Sequence, residues 1–350
     1  MFDIDSRATL RAFLRKFQKE RTITTANGKA NFYAGKTQMA VLLKTRSSKR
    51  PIVLKYRLLR KAIQFTYYNR TVTRKELEQY TKGANSALLG VLIEIFGDRG
   101  KLQRSASGLV RLTLRGIRYY FAGGDRAVRD LEIAVMNGAR FVLMSYAHIR
   151  TRKAWKRHVQ RLGLKVLLDS GAFTIWRSAQ SGSISKPIEI EEYAAFIKEH
   201  SDVLIGYFNL DVIGDVEASR LNAEALIQRG LNPIPVWHVG GSLKALKQLV
   251  DEDPAVIAVG GSVGLSERCR ERVFRWIFKL FPHQNFHFLG GSSRLLTRFP
   301  WFSADSTGWT VGRKYGAIID ESGQRKAPNG LGPLEAMAYT VRYLSRLEAA

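Results

Sequence analysis

The stretch KVLLDSGAF, Lys165 to Phe173, decides how the rest of the chain is read. Apolar or aliphatic-stemmed residues run straight into Asp169, then a Ser-Gly turn, then an aromatic ring. Short continuous apolar runs mark strands buried on both faces of a parallel sheet. A carboxylate directly after such a run stands at the strand's C-terminal end, where parallel α/β folds keep their sites. Gly171 permits a sharp turn and a close approach of backbone to ligand. Taken alone, an Asp that caps a turn is the simpler reading, so the flanking pattern has to decide.

From Ile117 onward that pattern repeats. Eight apolar runs, IRYYFAG, FVLMSY, KVLLDS, VLIGYFNLD, PIPVWHV, AVIAVGG, NFHFLGG and WFSAD, alternate with amphipathic segments. The helical ones are Arg126–Asn137, Arg152–Leu162, Ile190–His200, Val216–Arg229, Leu243–Asp251 and Glu267–Leu280, with a last helix over Pro333–Leu347. Only a short helix fits between Ser292 and Phe299, and Val311–Asn329 reads as a loop. Eight such units predict a (β/α)8 TIM barrel over 117–350. A doubly wound open sheet is the alternative; the count of eight and the lack of a GxGxxG after the first run disfavour it.

In a barrel the residues just past each run converge on one mouth. They are Gly123-Gly124-Asp125, Ser145, Asp169-Ser170-Gly171, Asn209 with Asp211, His238, Gly260-Gly261-Ser262, Gly290 with Ser292, and Asp305-Ser306-Thr307. These spacings follow strands and contain no compact ligand pattern, so no metal is expected. A phosphate cradle at the later glycines fits many barrels. Paired carboxylates suit glycosidic chemistry, one at the anomeric carbon and one handling the proton. Glycine backbone suits a flat heterocycle read by its edges. Phe173 or Tyr207 could stack on such a ring, or simply pack in the core.

Charge points to the partner. The 350 residues carry a net +26, and residues 1–116 hold 25 Lys and Arg against 7 Asp and Glu, so most of the field lies in the first third. Such a field attracts nucleic acid first and anionic membrane second. No run approaches the length of a membrane span and no signal-peptide core opens the chain, which predicts a cytoplasmic protein. The single cysteine, Cys269, excludes an internal disulfide and a multi-cysteine zinc site.

The first third reads as a basic, mostly helical domain over 1–116. A helix capped by Ser6 runs to Lys19, with Leu10, Phe13, Leu14 and Phe17 on one face. Residues 22–50 hold one strand, MAVLL, of no evident role. Helices follow from Pro51 to Tyr68, from Thr73 with Glu76 at the capping-box position, and from Ala84 to Phe96; a hairpin closes the region. That order fits a winged helix-turn-helix, or equally an ordinary helical lobe with a basic surface. Either way Lys75, Lys82, Arg99, Lys101, Arg104 and Arg111 are candidate phosphate contacts.

Five segments then match one family in order and spacing over roughly 117–310. DSGAF at Asp169–Phe173 resembles the DSGGFQ motif of tRNA-guanine transglycosylases, and HVGG at His238–Gly241 resembles their VQGG segment. AVGGSVG at Ala258–Gly264 is similar to their GGLAVGE loop, HFLGGSS at His287–Ser293 to their penultimate strand, and FSADST at Phe302–Thr307 to the strand bearing their nucleophilic aspartate. The family's zinc-site cysteines have no counterpart here, nor has the archaeal members' C-terminal RNA-binding module. The branch that looks most similar is the phage-type DNA transglycosylases, which insert a 7-deazaguanine into DNA and lack those cysteines.

The resemblance implies a pentosyltransferase that exchanges guanine in DNA for a free 7-deazaguanine such as 7-cyano-7-deazaguanine, with no cofactor and no zinc. Asp305 would attack C1′ and Asp169 would serve as general acid and base. Asp211 would accept hydrogen bonds from the heterocycle, with Ser170, Phe173, Gly260 and Gly261 lining the base site. His238 stands one place from the glutamine position. A tRNA enzyme, a nucleic-acid N-glycosidase using the same carboxylates, and a non-enzymatic DNA-binding protein are the alternatives. The basic first domain would hold a nucleic acid whose target base is flipped or single-stranded.

Overall fold

The computed structural model describes residues 4–105, 107–124, 127–152, 154–181 and 186–349. They divide into two compact units, Phe2–Arg115 and Gly116–Ala350.

In the first unit, α1 (Ser6–Glu20) buries Leu10, Phe13 and Phe17. Its cap is Asp5, not Ser6: Asp5 Oδ1 accepts from the N–H groups of Arg7 and Ala8 at 2.9 and 3.0 Å. Where one strand was expected, β1 (Thr22–Thr24), β2 (Ala30–Lys36), β3 (Ala40–Lys44) and β4 (Ile52–Lys55) form a four-stranded antiparallel sheet in chain order. β4 replaces the first turn of the helix expected from Pro51, and α2 (Tyr56–Asn69) begins after it. The unit is mixed α/β, not mostly helical.

β5 (Thr71–Thr73), α3 (Asn85–Phe96), β6 (Gly100–Arg104) and β7 (Val110–Leu114) complete this unit, with the strands in the order β5-β7-β6. The Thr73–Glu76 capping box is present. Thr73 N–H and Oγ1 both donate to Glu76 Oε2 at 2.7 Å, and Glu76 N–H donates to Thr73 Oγ1 at 3.3 Å. It opens only a four-residue 3-10 turn, Glu76–Gln79, in place of the second helix. No residue of α3 is exposed, because the helix packs against α1, α2 and β1. A helix read into a groove needs a free face, and α3 has none.

In the second unit, strands and helices alternate as the apolar runs predict. They begin with β8 (Arg118–Ala122), α4 (Val128–Met136), β9 (Phe141–Ser145), α5 (Tyr146–Ile149), α6 (Trp155–Arg161) and β10 (Lys165–Asp169). Then come α7 (Ala172–Gln180), α8 (Ile190–Glu199), β11 (Leu204–Tyr207), α9 (Val216–Gln228), β12 (Val236–His238) and α10 (Leu243–Asp251). β13 (Ile257–Gly260), α11 (Glu267–Leu280), β14 (Phe286–Phe288), α12 (Leu295–Arg298) and β15 (Ser303–Ser306) follow. The expected loop 311–329 instead holds α13 (Val311–Tyr315) and a tight hairpin, β16 (Ala317–Asp320) and β17 (Gly323–Lys326), before α14 (Pro333–Arg346). α7 is also additional: it lies between β10 and α8, in the segment leaving the strand after Asp169.

The eight strands β8–β15 form one all-parallel sheet in the order β11-β10-β9-β8-β15-β14-β13-β12. First and last strands are therefore neighbours, with Asp305 opposite Tyr120. β11 and β12 share no ladder; just beyond the one and before the other, Phe208 and Ile234 form an isolated parallel bridge. The result is a curled eight-stranded sheet of TIM-like strand order whose ladder is interrupted at one place.

Alternation along each strand sorts its side chains between two faces. Tyr119, Phe121, Val142, Met144, Val166, Leu168, Val259, Phe288 and Ala304 join the helices in one continuous core. The intervening positions Tyr120, Leu143, Leu167, His287 and Asp305 take the opposite face, inside the curl. Near its N-terminal end, buried Arg118 lies 3.8 Å from the centre of the Phe141 ring and pairs with Glu348 through Nε at 3.0 Å. Among the described residues no helix is long and apolar enough to cross a membrane.

Candidate active site at the strand C-terminal ends

Parallel strands put all their C-terminal ends on one side of the sheet, so the strand-end residues read from the sequence do share a rim. Asp125 lies outside the described residues. Asp169 ends β10, opposite Ser145 of β9. Gly171 N–H turns back to donate to Asp169 Oδ2 at 3.0 Å. Gly171 has φ +86°, and a Cβ there would come within 2.4 Å of Ala147 Cβ, so the turn admits no side chain.

Burial and the nearby Asp305 carboxylate push Asp169 up to about 6; Asp211 adds to the rise, while the Gly171 amide and Ser145 hydroxyl oppose it. Asp305 and Asp211 are thus both within electrostatic reach of Asp169.

Asp305, on β15, is buried and held from β14. His287 Nε2 lies 3.1 Å from Asp305 Oδ1, and Gly290 N–H donates to the same oxygen at 3.3 Å. His287 Nδ1 is 2.8 Å from Ser303 Oγ, which fixes the ring from its other edge. Phe208 and Tyr120 flank the imidazole, at 5.2 and 6.0 Å between ring centres. Among the described residues both hydrogen bonds to this carboxylate fall on Oδ1.

His287 was not among the sequence-predicted site residues. Its signal was a polar residue at an alternate position of the apolar run NFHFLGG. His287→Phe keeps a ring but leaves Ser303 and Asp305 without their partner in a buried layer. We expect it to lose about 2–4 kcal/mol in urea denaturation, with His287→Gln recovering part of that. A His287→Phe protein as stable as its parent would remove the histidine from this role.

The sequence-predicted pair Asp211 and His238 is brought into direct contact, His238 Nε2 on Asp211 Oδ2. Gly260 is shaped by the same ring: a Cβ there would come within 2.9 Å of His238 Nδ1. The Gly260 carbonyl accepts from Val239 N–H at 2.9 Å, while Gly261 is exposed with φ +68°. Ser170 is buried, and its Oγ accepts from Ala172 N–H at 3.4 Å. Phe173 is exposed and stacks on Trp176 of α7. Tyr207 accepts from Asn232 N–H at 2.6 Å, a packing role. Asn209 Oδ1 and Ser262 Oγ, past the ends of β11 and β13, are buried with no hydrogen-bond partner among the described residues. Ser145 Oγ, at the end of β9, is a third such atom; buried polar atoms are normally satisfied, so orphans at strand ends suit a polar ligand. Among the described residues no three His, Cys, Asp or Glu side chains group to hold a metal ion.

On the first unit, Lys75, Lys82, Arg99 and Arg104 are exposed as phosphate contacts require. Lys101 is half-buried, and burial, with Arg115 and Arg70 near it, lowers its pKa. Arg111 is a correction: it is buried on β7, the central strand of its sheet, and is not presented at the surface. The strand alternation that exposes Arg104 on β6 does not expose Arg111.

No protein-family model matches the chain, and no curated protein matches it either.

Proposed function

We propose that this chain is a base-exchange glycosyltransferase that replaces guanine in DNA with a 7-deazaguanine, working at the mouth of a (β/α)8 barrel. One observation carries the reading. Two carboxylates, Asp169 and Asp305, interact at the strand ends, one pushed up to about 6 and the other tethered through a single oxygen. Environments that treat two nearby carboxylates differently are how one site holds an acid and a nucleophile together.

In this reading Asp305 Oδ2 attacks C1′ of the target nucleotide, and the glycosidic bond breaks. Asp169, in its protonated form, gives its proton to the departing guanine. The sugar is left as an ester on Asp305. The incoming 7-deazaguanine then loses its ring N–H proton to Asp169, and its nitrogen displaces Asp305 to restore both carboxyl groups. One N-glycosidic bond replaces another, so no external energy source is needed. Asp211, with Oδ2 taken by His238, offers Oδ1 to the heterocycle's N–H groups; Asn209 and Ser262 supply further polar contacts. The target base must leave the stack to reach this mouth. The exposed cations Lys75, Lys82, Arg99 and Arg104 give the first unit a surface that attracts a polyanion.

The test is direct. The protein is incubated with DNA or tRNA and 7-cyano-7-deazaguanine, and the nucleic acid is digested to nucleosides. Modified deoxynucleoside is expected, from DNA alone. Modification of tRNA alone would assign the tRNA reaction instead, and abasic sites without incorporation would make the protein an N-glycosidase.

A further inference from the structure

The segment leaving β10 after Asp169 does more than turn the chain. It forms α7, a helix inserted before α8 and packed against α5, which leaves the neighbouring strand β9. Among the described side chains of α7, Phe173, Trp176, Arg177 and Gln180 are exposed. Their spacing of three, four and seven places them on one helical face. Phe173 is 49% and Trp176 41% exposed, and their rings are stacked at 5.9 Å with 29° between planes. Burying such rings is worth more than packing two together in water, so a stacked pair facing solvent is an unfinished contact.

The chemistry of this face selects its occupant. The helix AFTIWRSAQ contains no acid. The Arg177 guanidinium has no partner among the described residues, and Gln180 adds an amide. An aromatic face with an arginine beside it suits a base and its phosphate, because every base offers a π-face and every nucleotide a negative charge. A chain of net charge +26 favours that polyanion over an acid-poor apolar partner. Trp176 lies seven residues after Asp169, on the helix that follows the strand bearing it.

We propose that the exposed face of α7 is a stacking platform for the nucleotide adjacent to the exchanged one in a DNA strand. Trp176 takes that neighbour's base and Arg177 its phosphate. The platform rests on the base-exchange reading: once the target base is withdrawn from the stack, its neighbour loses a stacking partner, and Trp176 replaces it.

The experiment measures binding of a labelled single-stranded DNA oligonucleotide, its duplex and the RNA of the same sequence by fluorescence anisotropy. The parent, W176A, W176F and R177A proteins are compared. A 2-aminopurine beside the target guanine reports stacking. W176A is expected to weaken single-stranded DNA binding about 5- to 150-fold and to lose the quenching of 2-aminopurine, while W176F retains most of both. R177A is expected to lower the salt dependence by about one phosphate contact. DNA affinity within about twofold of the parent for W176A, or an effect confined to RNA, overturns the platform. If the parent itself neither binds DNA nor exchanges bases, the base-exchange reading fails and the platform with it. A parent that exchanges bases, beside a W176A protein with unchanged affinity and quenching, removes the platform alone.

Discussion

Asp305→Asn is expected to abolish base exchange, with a loss of about 10⁴- to 10⁶-fold, the scale on which removing a covalent nucleophile acts. The substitution is close to isosteric. The asparagine carbonyl oxygen can still accept from His287 Nε2 and from Gly290 N–H, the two recorded donors to Asp305 Oδ1. What changes is the other position, where an amide nitrogen without nucleophilic character replaces Oδ2. Folding should therefore be retained while the covalent step is lost. Three readouts separate these outcomes. Labelled guanine should no longer be released from DNA. No protein–DNA adduct should survive denaturation, whereas the parent stalled without incoming base should leave one. Thermal unfolding should stay within a few degrees of the parent, as expected for a change near 1 kcal/mol. A folded Asp305→Asn protein that still incorporates 7-cyano-7-deazaguanine would falsify the assignment of the nucleophile.

Much of the second unit was legible because a parallel sheet covered on both faces must write each strand as a short apolar run. VLIGYFNLD and NFHFLGG read as strands without help from their neighbours, and the polar residues ending them fell on one side by geometry alone. What pairs across that side was not legible. Asp211 and His238 are 27 positions apart and meet because the ends of β11 and β12 come together at the Phe208–Ile234 bridge, a fact of sheet curvature. His287 was hidden inside an apolar run, and only strand alternation, applied residue by residue, turns it inward toward Asp305.

The first unit was less legible for a different reason. β2 carries a register shift at Tyr33–Gly35 and only one fully buried residue, Asn31, so it shows no apolar alternation to detect. The Thr73–Glu76 capping box was read correctly as a local feature, yet a cap does not set the length of the helix it opens. The α3 sequence NSALLGVLIEIF is apolar on every side, and a helix apolar all round is a buried one. That composition spoke against a groove-reading helix, and the packing of α3 agrees.

Asp169→Asn is expected to make the protein more stable and inactive at once. The folded chain raises Asp169 from the ordinary 3.8 to about 6, chiefly through burial and then through Asp305. The folded state therefore binds this proton more tightly than the unfolded chain does. Stability from this group is fully present below about pH 4, falls as pH rises through about 6, and stays low above that. A rise of roughly two units corresponds to about 3 kcal/mol; residual solvent access to Asp169 brings the expected gain nearer 2 kcal/mol. Asparagine removes the buried charge and can still accept the Gly171 N–H. In urea titrations the variant should thus exceed the parent by about 2 kcal/mol at pH 8, with the difference closing toward pH 4. Exchange should fall about 10²- to 10⁴-fold, the usual worth of a general acid and base. The same pKa sets the parent's pH profile. On this mechanism guanine release needs the protonated carboxyl and should slow tenfold per unit above about pH 6, while addition of the incoming base needs the carboxylate and should slow at low pH. Single-turnover release and incorporation, measured separately from pH 5 to 8, should therefore bend in opposite directions, with the incorporation midpoint the lower because an esterified Asp305 no longer raises Asp169. An Asp169→Asn protein less stable than its parent at pH 8 would mean that the carboxylate is not strained by its burial. Release and incorporation bending in the same direction would mean that one group does not serve both half-reactions.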